Sequence, residues 1–513
     1  MSWKDLAEMA PMLSEAEIRF EKKRRLAGLV LGPFLFVLVL LSPPLNQVTP
    51  VGMRTLGIFL WTVVWWVTEP IPIPVTSLFS LALLVLCGVL TVEGAFGYWA
   101  NWVNIFFIGA FIIAHAMTVH GLPRRLAYRM MASRFLGGNP WRLLLVFGIG
   151  PALLSAVLSN VATTLIFVAI ALGVSETLQF PPEGRFGEAL FISIAWGAGM
   201  GGIITPVGTP PNSIVIGMIS RQFGYRVGFL QWTLVGLPIA ILGLLAMYLV
   251  IRYVIRPQLG GWKISTTFVQ EELGKLGPLN RGEKIAAGAL VCAIVLWAAP
   301  DMVPLFLAGG RTHPASVWLA RHLDWSVSAI LVATSLFLIP VDWKNRKFVM
   351  TWGEAVQGID WGTLSLIASA LALGNVIADR KLGLGEFFAQ SLSSLATPGS
   401  SHVLLIAAFV AFTIFLTNLA SNNAVVSMVG ALVLAVAPAT GVNPVALMVT
   451  VGVASSMAFS LPISTPPNAI VFGSGQVRSS TMAQSGLVLS AFCTAILLLI
   501  GFELANWVFP WPG

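Results

Sequence analysis

The chain has 513 residues, of which 57% are hydrophobic and 10% charged. Soluble domains carry about a quarter charged residues, so a soluble enzyme or binding module is excluded and a chain that crosses a lipid bilayer many times is expected. The formal net charge of +8 follows from basic loops between spans and gives no reason to expect a nucleic-acid partner.

Residues 1–26 carry Glu15, Glu17 and Glu21, and no small-residue cleavage site follows the first apolar run. They do not read as a secretory signal and are expected to form an amphipathic segment on the cytoplasmic surface. Lys22-Lys23-Arg24-Arg25 directly precede the first span, which puts the N-terminus in the cytoplasm by the positive-inside rule. Apolar segments then recur at Leu26–Leu41, Thr55–Trp66, Ser77–Val89, Ile105–Met117, Leu234–Ile251, Ile285–Ala298, Ile330–Ile339, Leu364–Ala378 and Leu487–Ile500. A span needs ~20 mostly apolar residues, which gives about eleven crossings plus interrupted pieces in an all-α polytopic membrane protein. Basic loops at Arg124, Arg125, Arg129 and Arg134, at Arg252 to Lys284 (with Lys263), and at Lys344, Arg346 and Lys347 then fall on the cytoplasmic side, and the C-terminus falls outside. The expected home is a bacterial inner (plasma) membrane.

Cys87, Cys292 and Cys493 are scattered through apolar runs and make neither a disulfide framework nor a metal spacing. The five histidines are equally scattered, and His115 and His120 do not stack on one helix face. They read as packing or interface residues.

An internal repeat carries the main signal. TPPNSIVIG at 209–217 matches TPPNAIVFG at 465–473 in seven of nine positions. Each follows a Ser-Asn pair set in an apolar run, Ser159-Asn160 and Ser421-Asn422, 262 residues apart. The stretch Trp196–Gly217 holds five glycines besides Gly217 and three prolines, and its counterpart has Pro462, Pro466 and Pro467. Proline removes a donor and clashes with the preceding turn, so a broken helix is expected in each half. The segments Arg142–Gly173 and Ser401–Thr440 are each too long for one crossing and too short for two. They are expected to form re-entrant hairpins of two half-length helices with the Ser-Asn pair at the tip, the first opened by Gly137-Gly138-Asn139-Pro140 and the second by Pro398-Gly399-Ser400-Ser401. Polar residues in membrane helices often serve only to hold helices together. Two such pairs, each followed by a near-identical Pro-Pro-Asn break, outweigh that reading. Inverted repeats with matched broken helices are the sequence mark of a secondary transporter, and irregular backbone at membrane depth is tolerated only where it faces protein or a wet cavity.

The chemistry at such a site is limited by what is there. Glu69, Glu188 and Glu354 lie near span ends. No carboxylate relay of a proton pump, no Walker loop and no nucleophile elbow is present, which argues against an enzyme. What remains is neutral oxygen, amide nitrogen and helix ends. Neutral oxygens suit a hard monovalent cation such as sodium, and helix N-termini attract carboxylate or sulfate oxygens. Bound cations offset the charge of an anion held without arginine, so cation–anion coupling is expected.

TEPIPIPVTSL at 68–78, SNVATT at 159–164, TPVGTPPN at 205–212, SNNA at 421–424 and LPISTPPNAIVFGSG at 461–475 resemble the divalent anion–sodium symporter family, the sodium-coupled di- and tricarboxylate and sulfate carriers. The resemblance runs along essentially the whole chain. It implies an elevator-type homodimer with scaffold helices at 27–135 and 282–380. The moving transport parts would be 136–257 and 398–513, with a cytoplasmic loop at 258–281. It also implies sodium as coupling ion with no other cofactor, and an anion held between the tips. Carried over by position, the first sodium site takes Ser155, Ser159, Asn160 and the carbonyl near Gly208. The second takes Thr417, Asn422 and the carbonyls of Ala420 and Ser464. The anion meets Asn160, Asn422, Thr209, Thr465 and Pro466. The family's usual tip is Ser-Asn-Thr, and this chain departs from it with Val161 in the first half and Asn423 in the second. Val161 lacks the hydroxyl, and Asn423 offers an amide instead.

Sodium-coupled uptake of a C4-dicarboxylate such as succinate, malate or fumarate is the leading expectation. A sodium-independent exchanger, or a sulfate or tricarboxylate carrier, is the alternative on the same fold. A sensor subunit would need a soluble domain, whereas the longest polar stretch, Arg256 to Lys284, reads as a loop. A channel fits poorly with paired dead-end hairpins. A site built around one hydroxyl discriminates strongly when it is lost. Asn423→Thr is therefore expected to shift the substrate profile more than Asn423→Ala, and identical profiles across a carboxylate panel in both variants would remove Asn423 from the anion site.

Overall fold

A computed structural model describes residues 15–133, 139–178, 184–258, 267–392 and 402–511. The expectations placed on residues 1–14, Arg134, Gly137, Gly138, Lys263 and 398–401 lie outside the described residues. The described chain is helical throughout apart from a small antiparallel hairpin, β1 (Pro340–Asp342) and β2 (Lys347–Phe348), with Pro340 opposite Phe348 and Asp342 opposite Lys347. This hairpin carries part of the third basic loop.

The first half runs through α1 (Glu15–Leu41), α2 (Pro50–Thr68), α3 (Ile73–Leu86), α4 (Trp102–Val119), α5 (Leu122–Met131), α6 (Pro140–Ser155), α7 (Asn160–Leu178), α8 (Arg185–Gly202), α9 (Pro210–Phe223) and α10 (Phe229–Val250). The second runs through α11 (Arg281–Phe306), α12 (Trp325–Leu338), α13 (Trp361–Ile377), α14 (Val403–Thr417), α15 (Asn422–Thr440), α16 (Pro444–Ser455), α17 (Pro466–Gly473) and α18 (Ser479–Ile496). Local chemistry sets many of the starts. Thr49, Asn101, Asn139, Asp324, Asn443 and Thr465 each accept a backbone N–H of the turn they open, which satisfies donors that have no partner inside the helix.

Among the described residues, seven helices are long and apolar enough to cross a bilayer, or eight if Trp352–Gly358 and Trp361–Ile377, bent by 54°, count as one span. The expected count of eleven is not reached by that measure. The physical reason is interruption, since α3 and α12 stop at 14 residues and α16 at 12. The arms around the two Ser-Asn pairs also differ from expectation. At 16 and 19 residues, and 15 and 19, they exceed the ~10 residues that would reach half of a ~30 Å hydrocarbon layer. The N-terminal region differs too. From Glu15 onward the expected surface segment is continuous with the first span, as one helix of 27 residues.

Packing fixes α1 against α2. The indole nitrogen of Trp65 donates to the Gly28 carbonyl at 3.0 Å. A Cβ at Gly28 would lie 1.9 Å from Thr68 Oγ1, so only glycine admits this approach. Buried Arg125 meets Glu283 at 2.6 Å and donates to the carbonyls of Leu276, Gly277 and Pro278, which fastens the loop before α11 to α5. Trp102, Phe106, Trp297, Trp325 and Phe229 form a chain of ring contacts that joins α4, α10, α11 and α12.

The two expected helix breaks are present, at 203–209 and 456–465. The glycines before the first one do not cause it, because α8 stays helical through Gly197, Gly199 and Gly201 to Gly202. They let α8 touch α6 instead, since a Cβ at Gly197 or Gly201 would fall 2.2 Å from the Gly148 carbonyl or 2.1 Å from that of Ala152. Each break is held by the asparagine of its Pro-Pro-Asn motif. Asn212 Nδ2 donates to the carbonyls of Gly202 at 2.9 Å and Thr205 at 2.7 Å. Asn468 Nδ2 donates to those of Ala458 at 3.2 Å and Leu461 at 3.1 Å. In both cases the acceptors stand ten and seven residues upstream. Removing the amide takes one donor from each of these carbonyls, although Thr205 keeps the Gly208 N–H and Leu461 keeps the Ser464 N–H and hydroxyl, at a net cost of about 1 kcal/mol per lost bond. Asn212→Ala and Asn468→Ala are accordingly expected to lower the melting temperature of the solubilised protein by several degrees, and a melting curve unchanged in either variant would refute the stapling role.

Candidate functional site

The tips and breaks meet. One cavity of about 970 Å³ is lined by Ser159, Asn160 and Val161 from the first tip and by Ser421, Asn422 and Asn423 from the second. Gly208, Thr209 and Pro210 line it from the first break, and Ser464, Thr465, Pro466 and Pro467 from the other. Residues 262 apart in sequence thus face one space. The same cavity has a second wall that carries Glu21, Arg24, Glu69, Phe107, Phe111, His115, Asp360 and Thr363.

The tips are built by matching contacts. The Ser155 hydroxyl donates to Asn160 Oδ1 at 2.5 Å, and the Thr417 hydroxyl to Asn422 Oδ1 at 2.8 Å. Each pair is five residues apart and spans the kink between two helices, at 156–159 in the first half and 418–421 in the second. Ser155 and Thr417 are fully buried. Because each amide oxygen is taken from behind, each Asn is oriented, and among the described residues no protein acceptor takes its Nδ2. Two N–H donors per tip are left for whatever occupies the cavity. The single Thr417 proton is shared between Asn422 Oδ1 and the Ser455 carbonyl, tying the second tip to the end of α16. Gly202 leaves room for the first tip, since a Cβ there would sit 2.7 Å from Asn160 Oδ1.

The helix ends add to this. α7 starts at Asn160 and α15 at Asn422, while α9 and α17 start just after Thr209 and Thr465. Four helix N-termini therefore border one cavity. Each carries partial positive charge, which favours an anion; the starts of α7 and α15 add N–H groups, while α9 and α17 open with paired prolines and supply the dipole without donors. Neutral oxygens cluster alongside. The Ser155 carbonyl lies 2.9 Å from the position a Gly208 Cβ would take, so backbone from the first tip and the first break are in contact. The Thr205 hydroxyl donates to the Ala156 carbonyl at 2.5 Å. In the second half Ser464 is buried and its hydroxyl donates to the Leu461 carbonyl at 2.7 Å. Among the described residues no group of three or more His, Cys, Asp or Glu side chains is placed to hold a metal ion, so a cation here would meet uncharged oxygen.

Of the residues expected at the site, Ser159, Asn160, Val161, Gly208, Thr209, Asn422, Asn423, Ser464, Thr465 and Pro466 lie on the cavity wall. Ser155, Thr417 and Ala420 do not; the first two stand directly behind the asparagines, and Ala420 is buried in the second tip. Both departures from the usual tip are on the wall, with Val161 37% exposed, where the missing hydroxyl can be felt by an occupant. Sequence reasoning missed the second wall. His115 and Glu69, taken as packing and span-end residues, both face the cavity. It also missed Asn418, whose Oδ1 accepts from the backbone N–H groups of Phe459 and Ser460 at 3.0 and 2.8 Å. The available signal was a third polar residue just before Ser421-Asn422, with Ala156 at the matching place in the first half.

The chain is similar to the "Sodium-dependent dicarboxylate transporter SdcS" of Staphylococcus saprophyticus, 32% identical over 494 residues, covering 94% of this chain and 91% of that protein. It is similar to the protein of the same name from Staphylococcus aureus strain USA300, 32% identical over 486 residues, covering 93% and 90%. Among solved structures the fold resembles Neisseria gonorrhoeae MtrF, described in its title as illuminating "a Class of Antimetabolite Efflux Pumps". The TM-score is 0.55 at 16% identity, over 84% of this chain and 86% of that one. It also resembles the Alcanivorax borkumensis YdaH transporter, with a TM-score of 0.51 at 15% identity over 84% and 89%. Residues 23–511 match the family described as "Sodium:sulfate symporter transmembrane region"; the chain belongs to that family.

Proposed function

We propose that this chain is a secondary transporter that carries a dicarboxylate, of the C4 class, across a bacterial plasma membrane together with sodium. The observation that carries the reading is the convergence of two Ser-Asn tips and four helix N-termini on one cavity. The names of the relatives support both the cation and the cargo class. The Asn160 and Asn422 amides and the open N–H groups at the starts of α7 and α15 receive the carboxylates. The oxygens of Ser155, Ser159, Asn160 and the Gly208 region hold one sodium, and those of Thr417, Ala420, Asn422 and Ser464 the other. Sodium is cargo here, and it offsets charge at tips whose own side chains are uncharged. A dianion entering without it would face only partial helix-end charges of about half a unit each.

Movement follows the elevator scheme. The parts 136–257 and 398–513 carry the tips, and the helices of 27–135 and 282–380 form the fixed frame and the homodimer contact. The cavity wall includes Glu21 and Arg24, next to the basic run that marks the cytoplasmic end of α1. With the N-terminus cytoplasmic, as the basic run favours, this state is read as open inward, and alternating access requires the tips to travel away from that end. The altered tip residues Val161 and Asn423 favour a second reading in which the anion is sulfate or a tricarboxylate in the same site.

The deciding measurement is uptake into proteoliposomes of a panel of C4-dicarboxylates, citrate and sulfate, with a sodium gradient or with choline in place of sodium. Saturable dicarboxylate uptake that needs sodium is expected, and uptake undiminished in choline would remove the coupling. Ser155→Ala and Thr417→Ala are each expected to raise the half-saturating sodium concentration several-fold, since each removes a neutral oxygen and frees an asparagine that it holds. A sodium titration that matches the parent protein would exclude that hydroxyl from the cation site.

A further inference from the structure

The second wall of the cavity holds a contact that neither the sodium sites nor the anion site uses. Arg24, on the first helix, donates through Nη1 to the carbonyl of Leu419 at 3.1 Å. Leu419 lies in the kink of the second tip, 395 residues away in sequence, two residues from Thr417 and next to Ala420. The other arm of the guanidinium is fixed. Nη2 meets Glu21 Oε2 at 2.8 Å, and Glu21 is 3% exposed. Glu21 also draws in the neighbouring Arg25 at 3.8 Å. α1 itself is anchored on α2 through the Trp65–Gly28 bond and the close approach at Gly28. An arginine held rigidly at one end therefore grips the backbone of a tip at the other. The guanidinium fork makes both contacts at once, which a lysine ammonium on a flexible stem does less well.

We infer that Arg24 is a positioning residue that latches the second tip to the first helix in the inward-open state. The inference rests on the proposed reading in one respect, that the tips move relative to α1 during transport. The grip is a charge-assisted bond to a peptide carbonyl. Breaking it is part of the step that carries the tip away from α1, and the bond sets how long the carrier rests open to the cytoplasm. Glu21 keeps Arg24 aimed at the tip and shares its carboxylate with Arg25.

The test reads the resting population directly. Spin labels are placed at Leu29→Cys on α1 and Phe415→Cys on α14, both exposed, in full-length protein whose three native cysteines are replaced by alanine. The protein is reconstituted in lipid and diluted with unlabelled protein. Pulsed dipolar spectroscopy then gives the share of molecules at the separation of the inward-open state. With Arg24→Gln the ratio of that population to the rest is expected to fall roughly tenfold, the weight of one charge-assisted bond. Arg24→Lys should recover part of the loss, and Glu21→Gln should shift the ratio in the same direction by less. Lys23→Gln, the same charge change on the exposed face of α1, should leave it alone. Unchanged distances in Arg24→Gln, or an equal shift in Lys23→Gln, would overturn the latch. Sodium-driven uptake by the labelled parent is measured separately. Its absence would count against the proposed function, while the distance measurement still decides the latch.

Discussion

A backbone that leaves helical geometry inside lipid must have every polar group met, because the surrounding hydrocarbon supplies no partners. The rest of this structure depends on how that constraint is answered at 203–209 and 456–465. In each break a single asparagine side chain reaches back to two carbonyls and replaces the lost helix bonds. With those carbonyls occupied, two helices can start afresh after Thr209 and Thr465 and point their N-termini inward. The asparagine staples thus help to hold the broken segments that wall the cavity between the tips.

The same device recurs one layer further in. At each tip a hydroxyl from the preceding helix takes the oxygen of the next helix's first asparagine. Two short, buried contacts thus convert a flexible amide into an oriented one. Packing does the remaining work, with glycines on α8 admitting α6 to near backbone contact and Gly202 making space for Asn160. Positioning of the site is therefore distributed over small residues and amides, and charged groups stay on the opposite wall and at the loops. The buried pair of Arg125 and Glu283 fastens a loop, and the fork of Arg478 on Glu188 joins the two halves outside the cavity.

Much of this was readable in the residues. The repeated Thr-Pro-Pro-Asn and Ser-Asn strings located both breaks and both tips, because proline and paired polar residues in apolar runs have few other uses at membrane depth. Ten of the expected site residues line one cavity. The number of spans was less legible. Composition counts apolar residues but does not say where a helix stops, and α3 and α12 end well before 20 residues. The glycines before the first break misled in the same way, since spacing alone does not separate a glycine that ends a helix from one that admits a neighbouring helix. The second wall was invisible for another reason. Glu21, Arg24, His115 and Asp360 come from elements far apart in the chain, and no local pattern announces that they face the same space. Asn418 differs again, for its role as acceptor for two backbone N–H groups depends on where α16 happens to end.

The orientation of the two tip amides has a wider consequence. Amides and hydroxyls neither gain nor lose a proton across the physiological range, so the tips themselves present the same face in acid and in neutral medium. A dicarboxylate, the cargo class proposed above, does change, shedding its second proton over that interval. For the proposed cargo, acidity at the tips then acts by altering what arrives there, and selection between singly and doubly ionised forms becomes a matter of fit to a fixed array of N–H groups.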